Sequence, residues 1–336
     1  MKKFLALLAV TLYFGTTFAQ QDPMFTKYMF NSLTFNPAYA GSKDHMAIGL
    51  LHRSQWIGIE GAPVTQSLTI HSPLKNDRVG VGFNLINDNI GPTSNLGMNL
   101  SYAYRIPIGD NGGKLSIGMQ GGVENYRADF TGLDLESQAG VDPAFFDNPN
   151  QWLPNFGAGV YYYNPSFYAG FSSPQLVEYD LTQQVNTTNG RTTWARQYRH
   201  YFFTAGGAIP ISGDDLVFRP SMLIKNVSLL GNLRKDEQFQ EFKTPTEFDI
   251  DLSMFFYQTL WLGLSYRSAF EAFDETSSFD SIDIWASYFL KNGLRIGAAY
   301  DYTLTELSQA TSGSFELFLG YEFDYDTEKT VTPRYF

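Results

Sequence analysis

"LGMNLSYAYRI", residues 96–106, decides the fold. Leu96, Met98, Leu100, Tyr102, Tyr104 and Ile106 alternate with Gly97, Asn99, Ser101, Ala103 and Arg105. A period of two is a β-strand with two unlike faces. In a soluble sandwich the face turned from the core is solvated and rich in Lys, Glu and Thr. Here it holds Gly, Ser, Asn and a few charges, which suits a barrel lumen, while the apolar face suits lipid.

The pattern recurs along the chain. Val79, Val81, Phe83 and Leu85 alternate with Gly80, Gly82 and Asn84, and Met46, Ile48 and Leu50 with Gly49 and Arg53. Fourteen strands are expected, at 45–53, 64–73, 77–86, 94–106, 114–127, 155–164, 166–173, 197–209, 215–226, 246–257, 259–268, 280–290, 293–303 and 314–324. Tight connections such as "YNPS", "YQT" and "LKNG" take turns with long ones at 54–63, 87–93, 128–154, 174–196, 227–245, 269–279 and 304–313. An even strand number, with short turns at one end and long loops at the other, predicts an all-β outer-membrane barrel. Its turns and both termini are then periplasmic and its loops extracellular. The aromatic Phe336 ends the chain, as is common in such barrels. On this reading, Leu264 meets lipid and Ser265 the lumen, so an Arg at 264 is expected to cost more than one at 265.

Residues 1–19 read as a cleaved signal peptide: Lys2 and Lys3, an apolar run too short to span a bilayer, then Thr17-Phe18-Ala19. Residues 20–44 form an N-terminal periplasmic or lumenal segment and 45–336 the barrel. Within that segment Met24, Phe25, Tyr28 and Met29 have helix-like spacing, which suggests a short helix in or under the barrel mouth. Elsewhere no apolar run reaches the length of a spanning helix. The formal charge of −11 argues against a nucleic-acid partner. With no Cys, disulfides and thiolate metal sites are excluded.

Chemical motifs are sparse. His71-Ser72 is the one adjacent His/Ser pair, and neighbours on a strand point to opposite faces, so no catalytic residue is assigned. "GDNGGK" at 109–114 is one residue short of a phosphate loop and reads as a turn. Glu247, Asp249 and Asp251 share one strand face, but such carboxylates stand about 7 Å apart, so no metal is assigned. They read instead as part of a lumen charge network of Arg219, Lys225, Asp249, Asp251 and Arg267. Loop 128–154 carries Asp129, Asp134, Glu136, Asp142 and Asp147 without Lys or Arg. The acids either solubilise the loop or, with Phe145, Phe146 and Trp152 among them, make a partner-binding or calcium-bridged surface.

"QDPMFTKYMFNSLTFNPAYAGS" at 21–42, "RSQWIGIEGAP" at 53–63, "LPNFGAGVYYY" at 153–163, "WLGLSYR" at 261–267 and "SGSFELFLGYEF" at 312–323 carry a resemblance. In these stretches the chain resembles the PorP/SprF family of type IX secretion and gliding proteins, in the family's order and over nearly all of the mature chain. Phe315 departs from it, where a His would be expected. The resemblance implies an outer-membrane barrel without enzymatic activity or cofactor. It would work with other type IX components in the export and surface attachment of a secreted adhesin, engaging the adhesin's C-terminal region. A diffusion porin or small-molecule transporter is the alternative. An open barrel conducts ions in a planar bilayer; a plugged docking barrel does not.

Overall fold

The structure, a computed structural model, describes residues 25, 27–43, 45–74, 77–109, 112–130, 148–180, 196–227, 246–270 and 277–323. The expected signal peptide, Phe145, Phe146, Phe336 and the acids Asp134, Glu136, Asp142 and Asp147 lie outside these residues.

Fourteen wall strands are found: β1 (Ala47–Ser54), β2 (Val64–Pro73), β3 (Val79–Ile90), β4 (Thr93–Ile108), β5 (Gly113–Ala128), β6 (Asn150–Tyr163) and β7 (Phe167–Ser173). They continue with β8 (Tyr201–Gly207, resuming at Ile209–Ser212), β9 (Leu216–Asn226), β10 (Thr246–Phe256), β11 (Leu260–Phe270), β12 (Ser277–Phe289), β13 (Leu294–Thr303) and β14 (Ser314–Glu322). Each pairs antiparallel with the next, and β14 returns to β1, Ala47 opposite Glu322 and Ser54 opposite Phe315. The sheet is closed, which leaves no unpaired edge in the wall and satisfies the backbone inside a bilayer.

The barrel is inside-out relative to a soluble domain. On β4, Leu100 is 68% exposed and Tyr102 47%, whereas Ser101, Ala103 and Arg105 between them are buried. On β11, Leu264 is 57% exposed and Ser265 buried. Only lipid rewards such an arrangement, because apolar surface left in water forfeits about 25 cal/mol per Å². No helix among the described residues could cross a membrane; the strands do.

Two expected loops are corrected. Residues 87–93 do not form a long connection. β3 runs to Ile90 and β4 starts at Thr93, joined by Gly91 (φ 53°) and Pro92. "NDNIGPTSN" misleads because Asn87, Asp88 and Asn89 put polar residues on both faces of the end of β3, so no apolar alternation marks them as strand. β6 likewise starts at Asn150, five residues before the expected position. Trp152 is therefore a strand residue, opposite Asn125 of β5, with its ring outward and 58% exposed.

Candidate functional site

The barrel interior is occupied by the chain itself. Phe25 and residues 27–42 lie inside the wall as a string of short turns: a 3-10 turn at Tyr28–Phe30, one α-helical turn at Ser32–Phe35 (α1) and a second 3-10 turn at Pro37–Tyr39. Of the residues expected to form a short helix, Tyr28 and Met29 lie in the first 3-10 turn, Phe25 lies before it, and Met24 lies outside the described residues.

Local chemistry explains these turns. Asn36 caps the last one, its side-chain oxygen accepting from the Ala38 N–H at 3.0 Å, and Pro37 takes the first position, where no N–H is needed. The Asn36 amide also donates to the Val160 carbonyl of β6 at 3.0 Å, tying cap to wall. Small residues then let two backbones meet. A methyl added at Gly118 would sit 2.3 Å from the Ala38 nitrogen, and one at Gly80 would sit 2.0 Å from the Ala40 carbonyl oxygen. Inner-wall glycines at these places are there for close approach of the plug.

Two anchors hold the upper part of the plug. The Lys27 ammonium lies 3.6 Å from Asp251, hydrogen-bonds the Ser265 hydroxyl and stands 5.3 Å from the ring centre of Trp285. Asp251 also accepts from Ser265 at 2.5 Å and from the Trp285 indole at 2.8 Å. The backbone N–H of Lys27 donates to Glu316 at 3.1 Å. Phe30 fills an aromatic box, with ring centres of Phe318 at 4.8 Å, Trp261 at 5.1 Å and Trp285 at 5.4 Å, and the Arg295 guanidinium 4.7 Å from its own ring centre. These contacts combine apolar burial with ring-edge and cation–π attraction.

The charges named from the sequence sit around this plug. Arg267 forms a two-pronged pair with Asp249 at 2.7 and 3.2 Å, and one of its nitrogens reaches the Phe25 carbonyl at 3.3 Å. Lys225 lies 3.9 Å from Glu247. Arg219 is set over Trp261, 3.7 Å from the ring centre, and Asp251 is engaged by Lys27 rather than by a wall cation. A further buried cluster joins Arg53 to Asp301 at 2.7 Å and to Glu316 at 3.5 Å. Lys27, Phe30, Asn36, Trp261 and Trp285 were not singled out in the sequence.

A second segment closes the inner face of β5 and β6. After Ser173 the chain turns inward, and Gln120 donates to the Pro174 carbonyl at 3.0 Å. Asn155 accepts from the N–H groups of Leu176 and Val177, both at 3.0 Å, and returns a bond to the Val177 carbonyl at 2.9 Å. Gln197 reaches Glu124 at 2.7 Å. The described ends of the connection between β7 and β8, at residues 174–177 and Gln197, are therefore bonded to the inner face of the wall.

The family described as type IX secretion system membrane protein PorP/SprF matches residues 17–321, nearly the whole chain. The chain belongs to the PorP/SprF family. Membership makes it a membrane barrel of a secretion system, and with the fold it places it in the outer membrane. Solved structures add only likeness of shape. Acinetobacter baumannii outer membrane protein Omp33 has a TM-score of 0.42 at 9% identity, over 84% of this chain and 100% of that one. The Pseudomonas putida toluene transporter TodX scores 0.48 at 10% identity, over 90% and 94%. A Pseudomonas aeruginosa FadL homologue scores 0.43 at 14% identity, over 87% and 94%. Among curated proteins none matches.

Proposed function

We propose that this PorP/SprF barrel is a non-conducting docking protein. It supports export and cell-surface attachment of a secreted adhesin, in secretion and gliding alike, by holding the adhesin's C-terminal region at its long-loop end. The long loops then face the medium, and the short turns and the end of β14 face the periplasm. The filled lumen is the observation that supports this most. The N-terminal segment is bonded to β2, β5, β6, β9, β11 and β14, and residues 174–177 after β7 add bonds to the inner face of β5 and β6. Ions crossing such a barrel would have to displace groups that are already paired.

Phe145, Phe146 and Trp152 are the proposed partner contacts, with the loop acids tuning approach and register. Trp152, outward on β6, marks where that surface would meet the wall. The test has two arms. Cells lacking the protein should lose surface display of the adhesin. The purified barrel in a planar bilayer should show no steady ohmic current. Display that persists, together with porin-like conductance, would replace docking by the transporter reading.

A further inference from the structure

The adjacent pair His71-Ser72 fails as a nucleophile and base because strand neighbours face opposite ways, but residues two apart share a face. His52 and Ser54 of β1 are such a pair. Opposite them on β14 stand Leu317 and Phe315, 44% and 37% exposed, while Leu51 and Arg53 between them are buried. The pair therefore faces out from the wall. His52 Nε2 lies 3.2 Å from the Ser54 hydroxyl. Gln66 of β2, directly opposite His52, brings its amide to 3.5 Å from the other ring nitrogen, Nδ1. A hydroxyl, an imidazole and a third group on the far side of that imidazole thus stand in line on two paired strands.

Their depth in the wall says what they meet. Ile48 and Leu50 precede them on the same face, and Ser54 ends β1 on the long-loop side. Over one step on that face, about 7 Å, the column turns from apolar Leu50 to His52. Beside it on β14, Leu317 and Phe315 stay apolar to the strand end. Such a boundary falls where the acyl chains of a bilayer give way to its polar interface, the depth at which lipid esters lie.

We propose that Ser54, with His52 as its base and Gln66 as a positioning residue, attacks the acyl ester of a membrane lipid, either a phospholipid or lipid A. Turning the Gln66 amide by half a rotation gives its oxygen to an Nδ1 proton and leaves Nε2 to accept from the hydroxyl. Nε2 takes that proton as Ser54 Oγ bonds to the ester carbonyl carbon. The adduct collapses by breaking the acyl C–O bond, and the departing alcohol oxygen receives the proton from His52. Water, deprotonated by His52 in turn, cleaves the acyl-serine to a fatty acid and restores the hydroxyl. The site lies on the outside of the wall and needs neither the filled lumen nor a docked partner, so it stands or falls separately from the docking function.

The test uses the purified barrel in micelles and a fluorophosphonate carrying a long alkyl chain, with heat-modifiable migration confirming that each variant is folded. Wild type and Ser72→Ala should be labelled at Ser54, Ser54→Ala not at all, and His52→Gln at least about 100-fold more slowly. Gln66→Leu should also slow labelling, whereas Gln66→Glu, whose carboxylate accepts the same Nδ1 proton, should keep the wild-type rate. The barrel is then placed in liposomes of phosphatidylethanolamine, without and with lipid A. Fatty acid should be released by wild type and not by Ser54→Ala, and mass spectrometry of the acid tells which lipid was cut. Folded wild type that is not labelled, or labelling undiminished in Ser54→Ala, would overturn the proposal and leave these residues as a polar rim. Labelling without fatty-acid release from either liposome would overturn the lipid ester as substrate.

Discussion

Replacing Lys27 by Met should destabilise the barrel by about 3–5 kcal/mol, and replacing Asp251 by Asn as well should recover at least about 2 kcal/mol of that loss. The two side chains are 2% and 1% exposed and 3.6 Å apart. Met matches the length and packing of the Lys stem, so the single change removes the charge and little volume. It leaves a buried carboxylate whose hydrogen-bond partners among the described residues are the Ser265 hydroxyl and the Trp285 indole. Breaking a buried pair from one side typically costs about 3–5 kcal/mol, because the remaining charge is neither solvated nor paired, whereas neutralising both sides is often far milder. The amide introduced by Asp251→Asn keeps an oxygen for the Trp285 N–H, so the double variant preserves that bond. The assay is urea unfolding of the barrel in micelles, followed by tryptophan fluorescence; Trp285 lies against both residues. A double-mutant cycle then gives the coupling directly. A single variant within about 1 kcal/mol of wild type, or a double variant as unstable as the sum of its parts, would show that the plug is not anchored by this pair.

Three further outcomes follow from the filled lumen and the docking surface. Leu264→Arg should cost about 2–4 kcal/mol through its lipid-facing position, and Ser265→Arg should be no milder, because the inward site is occupied by Lys27 and Asp251; a benign Ser265→Arg in a urea titration would mean that the lumen is open there. Gly118→Ala should lower the yield of heat-modifiable barrel, since its methyl would meet the Ala38 backbone at 2.3 Å, while Gly97→Ala, with nothing within 4 Å, should be silent; equal yields would remove the close-approach account. Phe145→Ala with Phe146→Ala should leave barrel levels unchanged and reduce adhesin retained on washed cells; normal retention would exclude this part of the loop from the docking surface.

The wall is legible in the sequence because a bilayer imposes one rule on every strand: apolar outward, at a period of two. Leu100, Tyr102 and Leu264 obey it, and so the strand number and the closure can be read. Where lipid stops, the rule stops. Residues 87–90 at the end of β3, and the start of β6 that carries Trp152, look like loop because no apolar residues alternate with polar ones there. Backbone pairing, not side-chain burial, makes those residues strand.

The plug leaves a signal of a different kind, on the face expected to be wet. Phe255, Trp261, Trp285 and Phe318 occupy inward positions on β10, β11, β12 and β14, and all are buried. A water-filled lumen offers such rings nothing, and four of them on this arc of wall require an apolar body inside the barrel. The chain supplies one in Phe30, whose ring touches three of the four, while the fourth, Phe255, packs on Trp261 at 6.1 Å. On the opposite arc the same demand is written in glycine: Gly80 and Gly118 face the part of the plug where Ala38 and Ala40 bring backbone against backbone. Large rings on one side and missing side chains on the other describe the outline of an off-centre insert. The motif "NPAYAG" at 36–41, which by itself looks like the entry to a first strand, has the small residues and the turn chemistry to be its thin edge. The sequence pattern of an open polar lumen and that of a plugged one therefore differ in which inward residues are large, not in how many are polar.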